Sequence, residues 1–382
     1  MSVEVPRVSI ESMCTSVTSG GTPSRSDANL WDDATISWFK TGELKDWYLE
    51  DSEEKISLKA ISKSSAKIFP PNTVLMAMYG DGKTITSLGI LRTEAATNQA
   101  CCAMIVDPSK ANFLYLFYAL KHHRHEMLQL VVAGAQRNLS GGIIRQFKIN
   151  WFPVPIQDRI AGLLSSYDDL IDNNRRRMAL LEDSARQLYR EWFVRLRFPG
   201  HEHTPIVDGV PQGWARAPLE SALVLQRGFD LPTQDRQDGE VPIYGSTGIL
   251  GHHNQAKAAA PGVVTGRSGT LGEVQYVDQD YWPLNTALWV KEFKRVTPLF
   301  ALFLLREMDL KQFNGGASVP TLDRKSVHRV DVLIPSTQML RTFDEFAVDV
   351  FAQVKKLASQ NQKLRQARDL LLPRLMNGEL AV

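Results

Sequence analysis

The stretch from Ile156 to Arg197 reads IQDRIAGLLSSYDDLIDNNRRRMALLEDSARQLYREWFVRLR, and its apolar residues recur with the spacing of a coiled-coil seam. Alternating steps of four and three residues give the series Ile160, Leu164, Tyr167, Ile171, Asn174, Met178, Leu181, Ala185, Leu188 and Trp192. Asn174 is the polar exception in this series, and charged residues occupy many of the positions between. The pattern predicts a long helix that packs on another long helix.

A second series with the same spacing lies 183 residues further along the chain. Its members are Phe343, Ala347, Val350, Val354, Leu357, Asn361, Leu364, Arg368, Leu371 and Leu375. Asn361 takes the place that Asn174 has in the first series, and a polar residue in an apolar seam commonly fixes the register of the helices. Two matching seams in one chain indicate an internal duplication.

The order of the segments predicts the direction of the two helices. A parallel pair would require the intervening globular segment to span the length of a helix of ~40 residues, which is about 60 Å. An antiparallel pair removes that demand. We therefore expect the two long helices to run antiparallel, with Ile160 near Leu375.

Length, charge and composition set broad limits on the protein. A chain of 382 residues has room for two or three domains. The formal net charge is only +2, so any nucleic-acid surface must be local. Three cysteines, two of them adjacent in an apolar run, indicate buried thiols in a reducing compartment. The N-terminus lacks a secretory pattern and no apolar run approaches 18 residues, so we expect a soluble, cytoplasmic protein with no membrane partner.

Residues 1–155 have the pattern of a mixed α/β domain. A Gly-, Ser- and Thr-rich opening is predicted to be loop, and residues 73–79 and 98–106 are predicted to be buried strands. The period is helical from Pro108 to about Val132 and becomes strand-like again from Phe147 to Phe152. The first long helix is expected at residues 156–197.

Residues 198–335 repeat this order with a different sequence. Residues 219–221, LES, match residues 10–12, IES, and the strand-like GVVTGRSGTLGEVQYV takes the place of TVLMAMYGDGKTITSLGI. The helix around Pro298–Met308 corresponds to the one around Asn112–Gln129. Residues 336–382 are expected to form the second long helix and a C-terminal tail.

Several motifs together resemble the specificity subunits of type I restriction-modification enzymes over nearly the full chain. They are SGGTPSR (19–25) followed by Trp31, AMYGDGKTITSLGILRTEAATNQAC (77–101), PVPIQDRIAGLLSSYDDLI (153–171), VTGRSGTLGEVQYV (264–277), WPLNTALWV (282–290) and ARDLLLPRLMNGEL (367–380). The resemblance implies an α+β fold with two mixed α/β target-recognition domains. It also implies two long antiparallel helices between them that form a coiled coil, with an internal pseudo-twofold repeat.

The resemblance also implies a function and a set of partners. Each domain of such a subunit recognises one half of a split target in double-stranded DNA, and the helices set the distance between the halves. Two N6-adenine methyltransferase (modification) subunits dock on it, and separate motor and restriction subunits translocate and cut DNA. S-adenosylmethionine is expected in the methyltransferase partners, and no cofactor is expected in this chain.

The sequence has no recognisable catalytic or metal-binding set. Residues 77–84 fit a permissive phosphate-loop pattern, but a working P-loop needs a helix that starts at Lys83 and Thr84, and the β-branched residues after them favour a strand. Scattered histidines and adjacent cysteines do not have the spacing of zinc ligands. Methyl-transfer and nuclease motifs are also not recognisable. We therefore expect no metal site and no enzymatic activity in this chain.

Polar and Arg-bearing loops at predicted strand ends are the best candidates for contacts with DNA. Arg suits guanine, Asn and Gln suit adenine, and Ser, Thr and Lys can hold phosphate. In the first domain the candidates are Thr22, Ser24, Arg25, Lys83, Thr84, Asn98, Gln99, Arg137 and Asn138. In the second they are Gln226, Arg227, Ser246, Arg267, Ser268, Asn285, Thr286, Ser318 and Arg324. Ordinary turn or cap chemistry is an equally good explanation for any single member.

A different class of protein shares the coiled coil. A two-domain scaffold could assemble a complex through its helices without recognising DNA. The feature that favours DNA recognition is the pair of Gly-, Ser- and Arg-rich loop sets at equivalent places in both domains, which a scaffold does not need.

Overall fold

A computed structural model describes residues 5–80, 84–133, 138–316 and 318–382. Its strands up to the first long helix are β1 Arg7–Ser9, β2 Cys14–Ser19, β3 Ile36–Phe39, β4 Trp47–Leu49, β5 Glu54–Ile56, β6 Ile68–Phe69, β7 Val74–Ala77, β8 Leu88–Leu91, β9 Ala95–Thr97, β10 Cys101–Val106 and β11 Lys148–Asn150. Those after it are β12 Ile206–Val207, β13 Val210–Pro211, β14 Ala215–Pro218, β15 Leu223–Arg227, β16 Val241–Gly245, β17 Gly248–His253, β18 Gly262–Gly266, β19 Val274–Val277, β20 Trp282–Pro283, β21 Ala287–Phe293 and β22 Asp331–Ile334. The α-helices are α1 Leu58–Lys63, α2 Phe113–His122, α3 Arg124–Ala133, α4 Gly141–Gln146, α5 Val154–Tyr189, α6 Leu219–Ala222, α7 Pro298–Glu307, α8 Arg324–His328 and α9 Thr337–Met376.

The chain divides into two compact units, and the division falls inside the long helices. The first unit comprises Met1–Asn174 and Ser359–Val382, and the second comprises Arg175–Ala358. Each unit therefore contains one globular part together with a segment of α5 and a segment of α9. The sequence placed the domain limits at the ends of the helices instead, at residues 155, 198 and 335.

Both units contain the same four-stranded antiparallel arrangement. In the first unit the order is β2-β10-β7-β8, extended by the parallel strand β4. In the second the order is β15-β21-β18-β19. A strand pair next to the long helices also recurs, as β1 with β11 and as β14 with β22. The mixed α/β organisation and the internal repeat are thus confirmed.

A buried helix covers this sheet in each unit, and each of these helices is capped by a polar side chain. Asn112 accepts hydrogen bonds from the backbone N–H groups of Leu114 (2.8 Å) and Tyr115 (3.1 Å) at the start of α2. Thr297 does the same for Phe300 (3.4 Å) at the start of α7, where Pro298 occupies the first turn. Such caps satisfy backbone donors that the helix leaves unpaired.

The helical period predicted from Pro108 to about Val132 is confirmed from Phe113 onward, but the stretch forms two helices. The helix α2 ends at His122, and α3 begins at Arg124. His123 between them is buried, and its Nδ1 lies 2.7 Å from Glu126 Oε1. The apolar period continues across the break, so the sequence pattern did not reveal it.

The long helices run antiparallel within each unit, as predicted. In the first unit the N-terminal part of α5 shares a buried cluster with the C-terminal part of α9, including Ile160 and Leu375. In the second unit the C-terminal part of α5 packs with the start of α9, and the rings of Tyr189 and Phe343 lie 6.1 Å apart. Moving forward along α5 therefore corresponds to moving backward along α9.

The predicted seam residues are buried or partly buried. Buried are Ile160, Leu164, Ile171, Asn174, Phe343, Val350, Leu357, Asn361 and Leu375. Partly buried are Tyr167, Met178, Leu181, Leu188, Trp192, Val354, Leu364 and Leu371. Asn174 Nδ2 donates to Asn361 Oδ1 (2.9 Å), and Asn361 Nδ2 donates to the Ile171 carbonyl (3.2 Å). The two seam asparagines are thus linked by one hydrogen bond inside the first unit, and Asn361 is also bonded to the backbone of α5.

Candidate nucleic-acid interface

In each unit, the loops proposed to contact DNA lie at one end of the shared four-stranded sheet. In the second unit, the register pairs Arg227 with Leu288 and Gly266 with Ala287. The ends of β15 and β18 therefore lie beside the start of β21. In the first unit, Ser19 pairs with Cys102 and Ala77 with Cys101, which gives the same arrangement. We call this end of the sheet the loop end: residues 20–26, 78–80, 84, 98–100 and 138–140 in the first unit, and residues 226–230, 246–247, 267–270, 285–286, 314–316 and 318–324 in the second.

Backbone hydrogen bonds fix the loops at the centre of the second loop end. The N–H groups of Arg267 and Ser268 donate to the Thr286 carbonyl, at 2.9 and 3.1 Å. The Arg267 guanidinium Nη1 donates to the Asn285 carbonyl at 2.8 Å. Arg267 is partly buried, so this side chain braces the strand that follows Asn285.

A carboxylate that the sequence did not single out joins two candidate residues there. Arg227 Nη2 donates to both carboxylate oxygens of Asp230, at 2.9 and 3.2 Å. Asn285 Nδ2 donates to Asp230 Oδ1. The hydrogen bond from Asn285, followed by that from Arg227, lowers the pKa of Asp230, so this carboxylate is charged at neutral pH.

The remaining candidates of the second unit border the same loops. The Gly269 N–H donates to the Pro320 carbonyl at 2.9 Å, which places the loop with the exposed Ser318 beside residues 267–270. Arg324 begins α8, and its Nη1 donates to the Leu225 carbonyl at 3.4 Å, on the strand that carries Gln226. A Cβ on Gly266 would lie 1.9 Å from the Thr270 carbonyl oxygen and 3.0 Å from that of Ser246. Glycine is therefore required for the close approach of these loops.

The loop end of the first unit is also held by close backbone contacts. The Gly21 N–H donates to the Thr97 carbonyl at 2.9 Å, and a Cβ on Gly20 would lie 2.0 Å from that same oxygen. Thr22 Oγ1 donates to Gln99 Oε1, so two candidate residues contact each other. Asn98 Oδ1 accepts from the Ala100 N–H at 3.1 Å, which is ordinary turn chemistry.

Arg25 lies on an aromatic ring and pairs with an acid. Its guanidinium carbon lies 3.8 Å from the Trp31 ring centroid, and its Nη1 donates to Glu54 Oε2. Lys40 Nζ donates to the other carboxylate oxygen of Glu54 at 2.9 Å. The bond from Arg25, followed by that from Lys40, lowers the pKa of Glu54 to about 2. Arg25 is therefore anchored, although its side chain stays about half exposed.

Three smaller contacts complete the first loop end. Ser24 accepts from Trp31 Nε1 through its backbone carbonyl (3.0 Å), and its hydroxyl lies 2.8 Å from that of Ser26. The Leu139 N–H donates to the Met78 carbonyl at 3.1 Å, which brings the exposed Asn138 to the end of β7. Lys83 and Arg137 lie outside the described residues.

The described residues at the end of the phosphate-loop-like segment do not begin a helix. Residues 84–86, which include Thr84, form a turn that leads into β8. A phosphate-binding loop would have a helix N-terminus at this place. Within the described ranges, no group of three or more His, Cys, Asp or Glu side chains is arranged to hold a metal ion.

The sequence located the loops but missed the acids that organise them. Asp230 and Glu54 belong to no motif, and Glu54 is 29 residues from Arg25 along the chain. Of these two acids, only Asp230 was indicated by the sequence. It follows Arg227 by three residues and could therefore form a local ion pair with it.

Comparisons with known proteins agree on one family. The family model described as type I restriction modification DNA specificity domain matches residues 3–183. The type I restriction enzyme MjaIX specificity subunit of Methanocaldococcus jannaschii is 22% identical over 96% of this chain and 91% of that protein. The EcoprrI specificity subunit of Escherichia coli is 20% identical over 84% of this chain and 81% of that protein.

A solved structure agrees at the level of the fold. The type I restriction-modification system S subunit from M. genitalium superimposes with a TM-score of 0.59 at 16% sequence identity, and the match covers 97% of this chain and 95% of that one. No helix in the described part of the chain is long and apolar enough to cross a membrane. The family model, the relatives matched over most of their length and the shared fold agree in direction: this chain is similar to type I restriction-modification DNA specificity subunits.

Proposed function

We propose that this chain recognises a bipartite target in double-stranded DNA, one half with the loop end of each unit. The observation that carries the proposal is the recurrence of the loop end on the same sheet in both units. Each loop end presents Arg or Lys together with amide and hydroxyl side chains, which are the groups that bind base edges and phosphates. Two similar modules on one chain favour two half-sites over one continuous site.

The partners of the complex form the second part of the proposal. As a specificity subunit, the chain is a non-catalytic component, and two N6-adenine methyltransferase subunits would supply methyl transfer with S-adenosylmethionine bound to them. Motor and restriction subunits would complete the complex, and its work on DNA would take place in the cytoplasm. The long helices support such docking, because Leu163 and Leu170 lie exposed one heptad apart on α5, and Leu370 is exposed on α9.

The experiment is to map methylated adenines in the host genome with and without this chain. We expect a split motif that is lost when the chain is removed. A scaffold that recognises no DNA would instead leave the motif unchanged when loop residues are substituted.

Substitutions in the two units provide matched controls for each other. Arg227→Ala should relax the motif in one half only, and Gln99→Ala should relax it in the other half only. The loss of a base contact costs about 1–3 kcal/mol of discrimination. If either variant relaxed both halves equally, separate recognition by the two units would be wrong.

A further inference from the structure

Asp230 lies between two candidate base-contacting residues at the loop end of the second unit. It follows β15 by three residues, and its carboxylate accepts from Arg227 at the end of β15 and from Asn285 just before β21. Its side chain is 61% exposed. One acid therefore connects the side chains of two strands that are neighbours in the sheet.

A carboxylate can only accept hydrogen bonds, and this decides which groups face away from it. The Asn285 amide must direct its nitrogen towards Asp230, so its carbonyl oxygen and a second N–H are left for another partner. Arg227 uses Nη2 for Asp230, and the guanidinium carries further N–H groups on its other nitrogens. Both side chains are thus oriented while keeping the groups that bind purine edges.

The negative charge of Asp230 is unfavourable for binding DNA, which argues that its contacts with Arg227 and Asn285 have a role. A carboxylate on a surface that faces phosphates weakens binding to every DNA sequence, because the backbone is negatively charged. Arg227, Arg267 and Asp230 together leave a net positive charge, so the acid lowers the attraction without abolishing it. The first unit has a similar pairing of an acid with an arginine, because Glu54 accepts a hydrogen bond from Arg25 at its own loop end.

We infer that Asp230 is a positioning residue for base recognition, which holds Arg227 against a guanine and Asn285 against a neighbouring adenine. This inference rests on the proposed function and adds to it the base class that the second unit recognises. Arg binds guanine O6 and N7, and the outward oxygen of Asn285 suits the adenine N6 amino group. Fixing two flexible side chains before binding reduces the entropy cost of the contact.

The test uses the complex as assembled in its host, with Asp230→Asn, Asp230→Ala and the control Asp235→Asn. Asp235 is an exposed acid in the same connection between β15 and β16. Affinity is measured for a duplex that carries the mapped motif and for a scrambled duplex, at two salt concentrations. The methylation motif of each variant is sequenced in parallel.

Removal of the positioning group should change the two affinities differently. Affinity for the target duplex should fall about tenfold or more, since two base contacts become disordered. Affinity for the scrambled duplex should stay equal or rise, because a negative charge is lost. The motif should relax at a guanine and an adenine within one half. Asp235→Asn should leave the motif and the target preference unchanged.

Other outcomes would overturn the inference. If Asp230→Asn kept target affinity within about twofold and an intact motif, Asp230 would have no positioning role. An equal loss on both duplexes would indicate a structural defect instead, and would also overturn it. If the wild-type complex itself showed no preference for the target duplex, the proposed function would fail, and the inference with it.

Discussion

At the scale of single residues, His328 links the core of the second unit to its loop end. Its buried Nε2 accepts a hydrogen bond from the Leu225 N–H at 2.9 Å, on the strand that leads to Arg227. An imidazole nitrogen can accept only when it is not protonated. Burial, which is the largest cause, lowers the pKa of His328 below its usual value.

The stability of the second unit should therefore fall in mild acid. Above about pH 6.5, His328 is neutral in both the folded and the unfolded states, and its full contribution is present. As the pH falls below about 6.5, His328 takes up a proton in the unfolded chain before it does so in the folded protein. Stability is therefore lost until the pH reaches the lower pKa of the folded state. One such group changes the free energy of unfolding by at most about 1.4 kcal/mol per pH unit.

The measurement is denaturant unfolding between pH 7.5 and pH 5 for the wild type and for His328→Gln. A glutamine oxygen can still accept from Leu225 but does not titrate, so the variant should depend less on pH. His252→Gln, at an exposed histidine of β17, is the matched control and should behave as the wild type. Identical pH dependence in all three proteins would contradict the role given to His328.

The contacts of single arginine side chains could not be predicted from the sequence. Loop composition identified Arg25, Arg227 and Arg267, but it did not show what their guanidinium groups contact. Arg25 lies on Trp31 and pairs with Glu54, whereas Arg267 braces the Asn285 carbonyl. Glu54 and Asn285 are 29 and 18 residues from these arginines along the chain, so only the fold brings them together.

At the scale of secondary structure elements, the first unit contains a buried ion pair between the long helices. Arg368 Nη1 donates to Asp168 Oδ1, and both side chains are about nine-tenths buried. Tyr118 from α2 donates its hydroxyl proton to Asp168 Oδ2 at 2.8 Å. The pair thus joins α5, α9 and the helix that covers the sheet.

Breaking this pair from one side should be costly. Arg368→Met leaves the Asp168 carboxylate buried without its counter-ion, and such changes cost about 3–5 kcal/mol. The double variant Asp168→Leu with Arg368→Met removes both charges and should lose less stability than the single variant, although Tyr118 then lacks its acceptor. Lys363→Met, at an exposed position of α9, controls for the loss of a cation.

The free energy of unfolding from denaturant titration decides this prediction. If the double variant were less stable than Arg368→Met, the cost would come from lost packing or hydrogen bonding and not from an unpaired charge.

Heptad spacing predicted the long helices well but not their whole buried face. Near the end of α5, Tyr189 and the following Phe193 are buried, whereas Leu188 and Trp192 are only partly buried. The rings of Phe300 and Phe303 in α7 lie 5.4 and 5.6 Å from Tyr189, so a globular part packs on the helix there. A seam calculated for two helices cannot include that third surface.

At the scale of the whole molecule, both long helices pass from one unit to the other without interruption. The division of the chain falls between residues 174 and 175 in α5 and between residues 358 and 359 in α9. Along each helix, these places fall between the residues of the buried cluster in one unit and those of the buried cluster in the other. This provides a way to ask whether the helices set the spacing of the two half-sites.

The change is one extra heptad in each helix, between Asn174 and Met178 in α5 and between Leu357 and Asn361 in α9. Seven residues keep the apolar seam in phase and add ~10 Å, about three base-pair rises of 3.4 Å. We expect the same two half-sites with a spacer longer by one to three base pairs, or loss of methylation at the original site. An insertion in α5 alone is the control, because part of its length can be absorbed as a local bulge. Methylation mapping in cells that carry each variant gives the answer. A paired insertion that stays active on the original spacer would show that the helices do not set it.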